Sequence, residues 1–220
     1  MVTDPEIFRT DLSARGGIEL QKRISRLVSE RWDGRDVGLI AAADVHFPSK
    51  DFARAAITVH AFPGLELIES ATARVPCLMP YVPGLLSFRE IPAILAALDA
   101  VSSGIDLVLC DSHGIAHPRR MGMASHLGLV LDIPTIGCAK SHLFGSFEEP
   151  GTERGDRSPV LDSDGEVVGC VLRTRARTRP VYVSTGHMID LETAVDIVLG
   201  CSPRFRIPVP LREAHRLAGR

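Results

Sequence analysis

Aromatic side chains are scarce in this sequence: Phe, Trp and Tyr make up 5% of 220 residues, with a single Trp and two Tyr. A tyrosine placed in a loop therefore carries more information than usual. Cysteine is sparse and odd in number, with Cys77, Cys110, Cys138, Cys170 and Cys201 forming no Cys-x-x-Cys pair. This excludes a disulfide framework and zinc-ribbon spacing, and fits reduced, buried thiols of a cytoplasmic protein. No apolar run reaches the length needed to span a bilayer, and the polar first residues carry no signal-peptide core. Charge of one sign is also missing. With 25 Lys and Arg against 27 Asp and Glu the formal charge is −2, so only local clusters can point to nucleic acid. A hydrophobic content of 45% against 24% charged is ordinary globular usage, and the length suits one large core. We expect a single domain over residues 1–220 and a monomer.

What is present is organised around the stretch from Asp106 to Arg120. Leu107 to Cys110 reads as a short buried strand, which delivers Asp111 into a loop holding His113, Gly114, His117, Pro118, Arg119 and Arg120. Open α/β sheets build sites at the carboxyl ends of strands in this way. The alternative is an Asp capping a turn among surface histidines.

The rest of the chain supplies an α/β frame. Residues 4–31 read as helical, with Ile18, Leu20, Ile24, Leu27 and Val28 near one face. Val37–Val45, Ala53–Phe62 and Leu65–Val75 read as a three-strand antiparallel meander. A proline-rich loop leads to a helix over Ser87–Val101, then the Leu107–Cys110 strand, a helix over Ala124–Leu131 and a strand over Ile133–Lys140. Residues 145–165 read as loop, Glu166–Thr174 and Pro180–Ser184 as a hairpin, and Asp190–Leu199 as a helix before a basic tail containing Leu211–Leu217. A mixed sheet flanked by helices follows.

Three carboxylates stand out. Asp44 and Asp111 each lie at or near the end of an apolar strand, and neighbouring strands would bring them close enough to need a cation between them. Such oxygen donors suit Mg²⁺ or Mn²⁺. Glu90 is either a third ligand or the partner of Ser87 in a capping box. A zinc site on Asp111, His113 and His117 is open as an alternative, which would make the protein a small-molecule hydrolase. Lys140 ends another apolar strand, where it either orients a phosphate or is simply solvated; His187 is a weaker candidate of the same kind. Arg173, Arg175, Arg177 and Arg179 alternate, so in an extended segment they would share one face, either as a phosphate-contacting stripe with Arg204 and Arg206 or as a solvated edge. A non-catalytic nucleic-acid binder would leave the three carboxylates without a role.

With these residues assembled, the chain resembles the endonuclease V family. The resemblance rests on Ala43-Asp44-Val45, Met79 to Gly84, Leu86 to Glu90, Asp111 to Arg120, Pro134 to Gly137 with Lys140, and Thr185-Gly186-His187. It implies a ribonuclease H-like fold and Mg²⁺-dependent cleavage, with Mn²⁺ as a substitute, at the second phosphodiester 3′ to deoxyinosine in DNA. Some members act on inosine in RNA. It further implies Asp44, Glu90 and Asp111 as metal-site residues, His117 as a proton carrier or water-orienting group, and Lys140 as a phosphate-side helper. Pro80, Tyr81, Val82 and Pro83 resemble the family's wedge, while Gly84, Leu86 and Gly122 match its base pocket, with Arg119 and Arg120 beside the nucleic acid. Ser112 stands where the family usually has glycine, so a backbone angle reserved for glycine is in question there.

Overall fold

A computed structural model describes Ile7 and residues 13–219. The expected helix over residues 4–31 is shorter: α1 spans Ala14–Ile24, capped by the Ser13 hydroxyl on the Gly16 amide, and a 3₁₀ turn follows at Ser25–Leu27. Residues 28–31, also expected in this helix, are not helical, Val28 being extended, and residues 4–6 and 8–12 lie outside the described residues. The meander is present as β1 (Leu39–Ser49), β2 (Phe52–Ala61) and β3 (Leu67–Pro76). Then come α2 (Ser87–Leu98), β4 (Leu107–Cys110), α3 (Met123–Leu131) and β5 (Thr135–Ala139). The C-terminal part supplies β6 (Arg157–Leu161), β7 (Val167–Leu172), β8 (Val181–His187), α4 (Leu191–Gly200) and α5 (Val209–Ala218).

Among the described residues, eight strands form one sheet in the order β3-β2-β1-β4-β5-β8-β7-β6. The centre is parallel, β1 with β4 and β4 with β5, and both flanks are antiparallel. Strand β6 corrects the loop expected over residues 145–165. It lies at the sheet edge, where Pro159 is tolerated because no neighbour needs its missing N–H on the outer side. This is why proline-bearing sequence there did not read as strand.

Period-2 alternation sorts the central strands between two cores. Ile40, Ala42, Leu107 and Leu109 face one side with Val195 and Val198 of α4 and Leu211 and Ala214 of α5. Ala41, Ala43, Val108 and Cys110 face the other with Ile91 and Ile94 of α2 and Leu127 of α3. Apolar residues on both faces are the signature of a covered parallel centre. The run of alanines in β1 lets helices approach from both sides, with α2 over one face and α5 over the other.

Candidate active site

The parallel register pairs Ala43 with Cys110, so the next residues, Asp44 and Asp111, lie side by side where β4 ends; β1 itself runs on to Ser49, so Asp44 lies within its strand and not at the end expected from the sequence. Both are nearly covered, at 12% and 10% side-chain exposure. Lys140, just beyond β5, donates to Asp111 Oδ2. Glu90 arrives from the first turn of α2 and is buried. Burial first, and then the charges of Asp44 and Asp111, push its carboxyl up to about 8 against the opposing effect of Arg89. Burial and the neighbouring Asp111 also raise Asp44, while the hydrogen bond from His215 works the other way.

His215 is a site residue that the sequence did not reveal. It sits on α5, and its Nδ1 lies 2.9 Å from Asp44 Oδ2. Asp44, Asp111 and His215 offer ligand atoms all within 4.8 Å of one another. Two carboxylates that close, with a third carboxyl kept protonated by burial and then by their charges, form a donor set that a divalent cation would relieve. The residues present therefore fit a metal ion.

Two sequence-level alternatives give way here. The capping box does not form: Ser87 is already helical, the preceding Leu86 makes no side-chain cap, and the Ser87 hydroxyl faces His126 Nδ1 at 2.9 Å. Glu90 lines the same cavity as the two aspartates and feels their charges. The zinc set of Asp111, His113 and His117 is not assembled. His113 Nε2 is taken by the Ser141 carbonyl at 3.0 Å. His117 Nε2 bonds the Gly84 carbonyl, and its Nδ1 accepts from the Arg119 amide. Burial drives both rings down to about 4, so they are neutral at pH 7.

A cavity of about 390 Å³ adjoins the acidic centre, reaching from Lys140 and Asp111 to Tyr81, Gly84, Leu86 and Gly122. Its far wall is braced from below. The Gly84 carbonyl accepts from Gln21 Nε2 (2.9 Å), Arg119 Nη2 (2.8 Å) and His117 Nε2 (3.2 Å). Gln21 also donates to the Met121 carbonyl and accepts from Arg119 Nε, tying the two loops that flank the cavity to α1. Gly84 has φ +78°, and a Cβ there would press on the Arg119 guanidinium, so only glycine suits this position. Ser112, by contrast, does not adopt a left-handed φ, so the glycine expected there is not needed for backbone freedom.

The proposed wedge is presented rather than packed. Tyr81 is 65% exposed and lines the cavity, with Arg89 5.9 Å from its ring; Pro80 and Pro83 are exposed, and Val82 packs against the core under α1. Other expected residues are not gathered here. Arg120 turns away with φ 53° and pairs with Asp162 (2.5 Å) and Glu166 (2.7 Å). His187 is buried, accepting from the Ser29 amide. The arginine stripe is corrected outright: residues 173–179 form a turn, not a strand, and Arg177 has φ 57°. Arg173 is buried and bonds Glu149 and the carbonyls of Pro150, Gly151 and Thr178, while Arg206 braces the carbonyls of Lys140 and Pro180. Alternation in sequence does not put residues on one face when the chain turns.

The family model for Endonuclease V matches residues 19–216. An Endonuclease V of Roseiflexus sp. is 52% identical over 179 residues, which is 81% of this chain and 80% of that one. The crystal structure of the Endonuclease V from Streptomyces avermitilis superposes with a TM-score of 0.90 at 38% identity, covering 96% of this chain and 95% of that chain. A variant of Ciona intestinalis Endonuclease V, in complex with a 23mer DNA containing an inosine followed by a ribo-adenosine, superposes with a TM-score of 0.83 at 27% identity, covering 94% and 97%. The mixed sheet is the ribonuclease H-like fold of these structures. The chain belongs to the Endonuclease V family.

Proposed function

We propose that this protein is a divalent-metal-dependent endonuclease of DNA repair, cutting the second phosphodiester bond on the 3′ side of deoxyinosine. The observation that carries this reading is the junction of two features: the cluster of Asp44, Asp111 and His215, and the braced cavity that opens beside it. The DNA-bound Ciona relative, whose ligand contains inosine, supports the choice of substrate.

Asp44, Asp111 and His215, with Glu90 behind them, would hold the ion. When bound, Mg²⁺ (or Mn²⁺ in its place) supplies Lewis-acid polarisation of the phosphate and lowers the pKa of attacking water. The protein residues have separate tasks. Lys140, the cation beside Asp111, neutralises a phosphate brought against the carboxylates. Glu90 holds or releases a proton as the charge on its neighbours changes. His117, with both nitrogens engaged, acts as a positioning residue for Gly84. Gly84, Leu86 and Gly122 line the space for an extruded base, and Tyr81 at its mouth fills the gap left in the stack. Arg119 acts through Gly84 and Gln21 rather than on the strand itself.

The test is cleavage of matched strands bearing inosine or adenine, as DNA and as RNA, with Mg²⁺, Mn²⁺ or chelator. A single cut at the second phosphodiester 3′ to inosine, only with metal, is expected. Equal cutting of inosine and adenine strands would remove the substrate assignment, and activity surviving chelation would remove the metal.

A further inference from the structure

A second cleft, of about 550 Å³, opens on the other side of Lys140. Lys140 lines both cavities, and His215, which lines this one, touches Asp44. The acidic centre is thus the saddle between two concave surfaces. Helix α5 forms the wall of the second. Its Leu211, Ala214 and Ala218 are buried, whereas Arg212, His215 and Arg216 are exposed, and their i, i+3, i+4 spacing gives them one common face. The Arg212 guanidinium lies 4.1 Å from the centroid of Phe205, which is 40% exposed, and makes no ion pair among the described residues. Arg216 is paired with Glu213 at 2.6 Å, and Glu213 also lines the cleft.

Strand polarity gives this cleft a meaning that rests on the function proposed above. The inosine base takes the first cavity, and the bond to be cut lies two phosphates further towards the 3′ end, at the acidic centre. A strand so placed continues 3′ away from the first cavity, over Lys140 and His215. We propose that the α5 cleft is a binding subsite for the nucleotides immediately 3′ to the cut, with Arg212 and Arg216 receiving their phosphates. A guanidinium matches two phosphate oxygens with parallel N–H donors, and the Phe205 ring holds that of Arg212 in place. Arg216 exchanges the Glu213 carboxylate for phosphate, a small loss because exposed pairs of this kind are weak.

The experiment compares wild type with the double variant Arg212→Gln/Arg216→Gln on three inosine-containing single strands. One extends ten or more nucleotides to both sides, one stops a single nucleotide 3′ to the cut, and one is shortened on the 5′ side instead. Wild type should bind the long strand roughly tenfold better than the 3′-shortened one, the loss expected for one or two charge-assisted contacts. The double variant should treat those two strands alike, and its slope of log affinity against log salt should fall by about 1.4 for two single-strand phosphate contacts. Both proteins should respond equally to 5′ shortening, with the same thermal midpoint, since the altered side chains are exposed. A double variant that keeps the full preference for the 3′-extended strand overturns the subsite alone. Failure of wild type to cut any inosine strand would sink the functional reading and this subsite with it.

Discussion

His215 Nδ1 stands 2.9 Å from Asp44 Oδ2, although 171 positions separate the two residues. The contact exists because Asp44 continues the face of β1 that carries Ile40 and Ala42, and α5 covers that face through Leu211 and Ala214. Glu90 reaches the same carboxylates from the opposite side, on α2. The acidic centre is therefore clamped between two helices packed on opposite faces of one sheet.

Asp111→Asn removes one of two close negative charges while keeping the side-chain shape. Cleavage in Mg²⁺ should fall about 100-fold or more, since even residues behind metal ligands commonly cost 10–100-fold. The metal-free protein should be as stable as wild type or more so, because a charge that adds to the effect of burial on Glu90 and Asp44 is gone. Single-turnover rates and thermal midpoints in chelator check both halves. A normal rate in Mg²⁺ would contradict the assignment.

Tyr81→Ala separates recognition from chemistry. The ring is largely exposed, so stability and metal binding should not change. Binding to inosine strands should weaken by roughly tenfold, the loss of about 1.4 kcal/mol of stacking, and preference over adenine should shrink. Titration of both strands by anisotropy decides it; unchanged preference would leave Tyr81 without a recognition role.

Arg173→Ala should act on the fold and not on the nucleic acid. Its guanidinium holds three backbone carbonyls and Glu149 with 8% of the side chain exposed. Deleting it leaves carbonyls without donors, at a cost of about 2–3 kcal/mol. Urea unfolding should show that loss, while the salt dependence of DNA binding stays as in wild type. A flatter salt slope would return Arg173 to the strand-binding surface.

His126 gives the protein an acid liability. It is fully buried, Nε2 donating to the Ile7 carbonyl and Nδ1 accepting from Ser87, and burial lowers it to about 4. A lowered histidine protonates first in the unfolded chain, near pH 6.5, so its stabilising effect is present above that pH and is lost as pH falls towards 4. Each such histidine contributes about 1.4 kcal/mol per pH unit in that window, and His113 and His117 act in the same direction. Glu90 opposes them in the metal-free protein. Its raised carboxyl keeps its proton up to about pH 8, so its contribution declines as pH rises from about 4.5. The difference between wild type and His126→Gln isolates one histidine: the variant should be less stable at pH 7, with a slope of stability against pH smaller by about one proton between pH 6 and 4.5. Equal slopes in urea titrations at several pH values would reject this.

Much of the frame was legible locally. Four apolar residues ending in Asp111 defined β4 to the residue, because a covered parallel strand needs apolar side chains on both faces and its end is marked by the first charge. Asp44 also closes a run of small and apolar residues, yet β1 continues past it to Ser49, and only the adjacency of β1 and β4 sets it beside Asp111. Local pattern failed where the deciding partner was distant. Ser87 and Glu90 carry the letters of a capping box, yet His126, from another helix, takes the serine and the aspartates face the glutamate. The alternating arginines read as a stripe only if the chain is extended, and the carbonyls around Arg173 bend it into a turn instead. Strand β6 exists because β7 offers it an edge, not because its own residues prefer one. His215 and Gln21 carried no local signal at all. Sequence periodicity reports which side of an element meets the core, whereas only the packing of α5 and α1 against the sheet decides which polar side chains then meet Asp44 and Gly84.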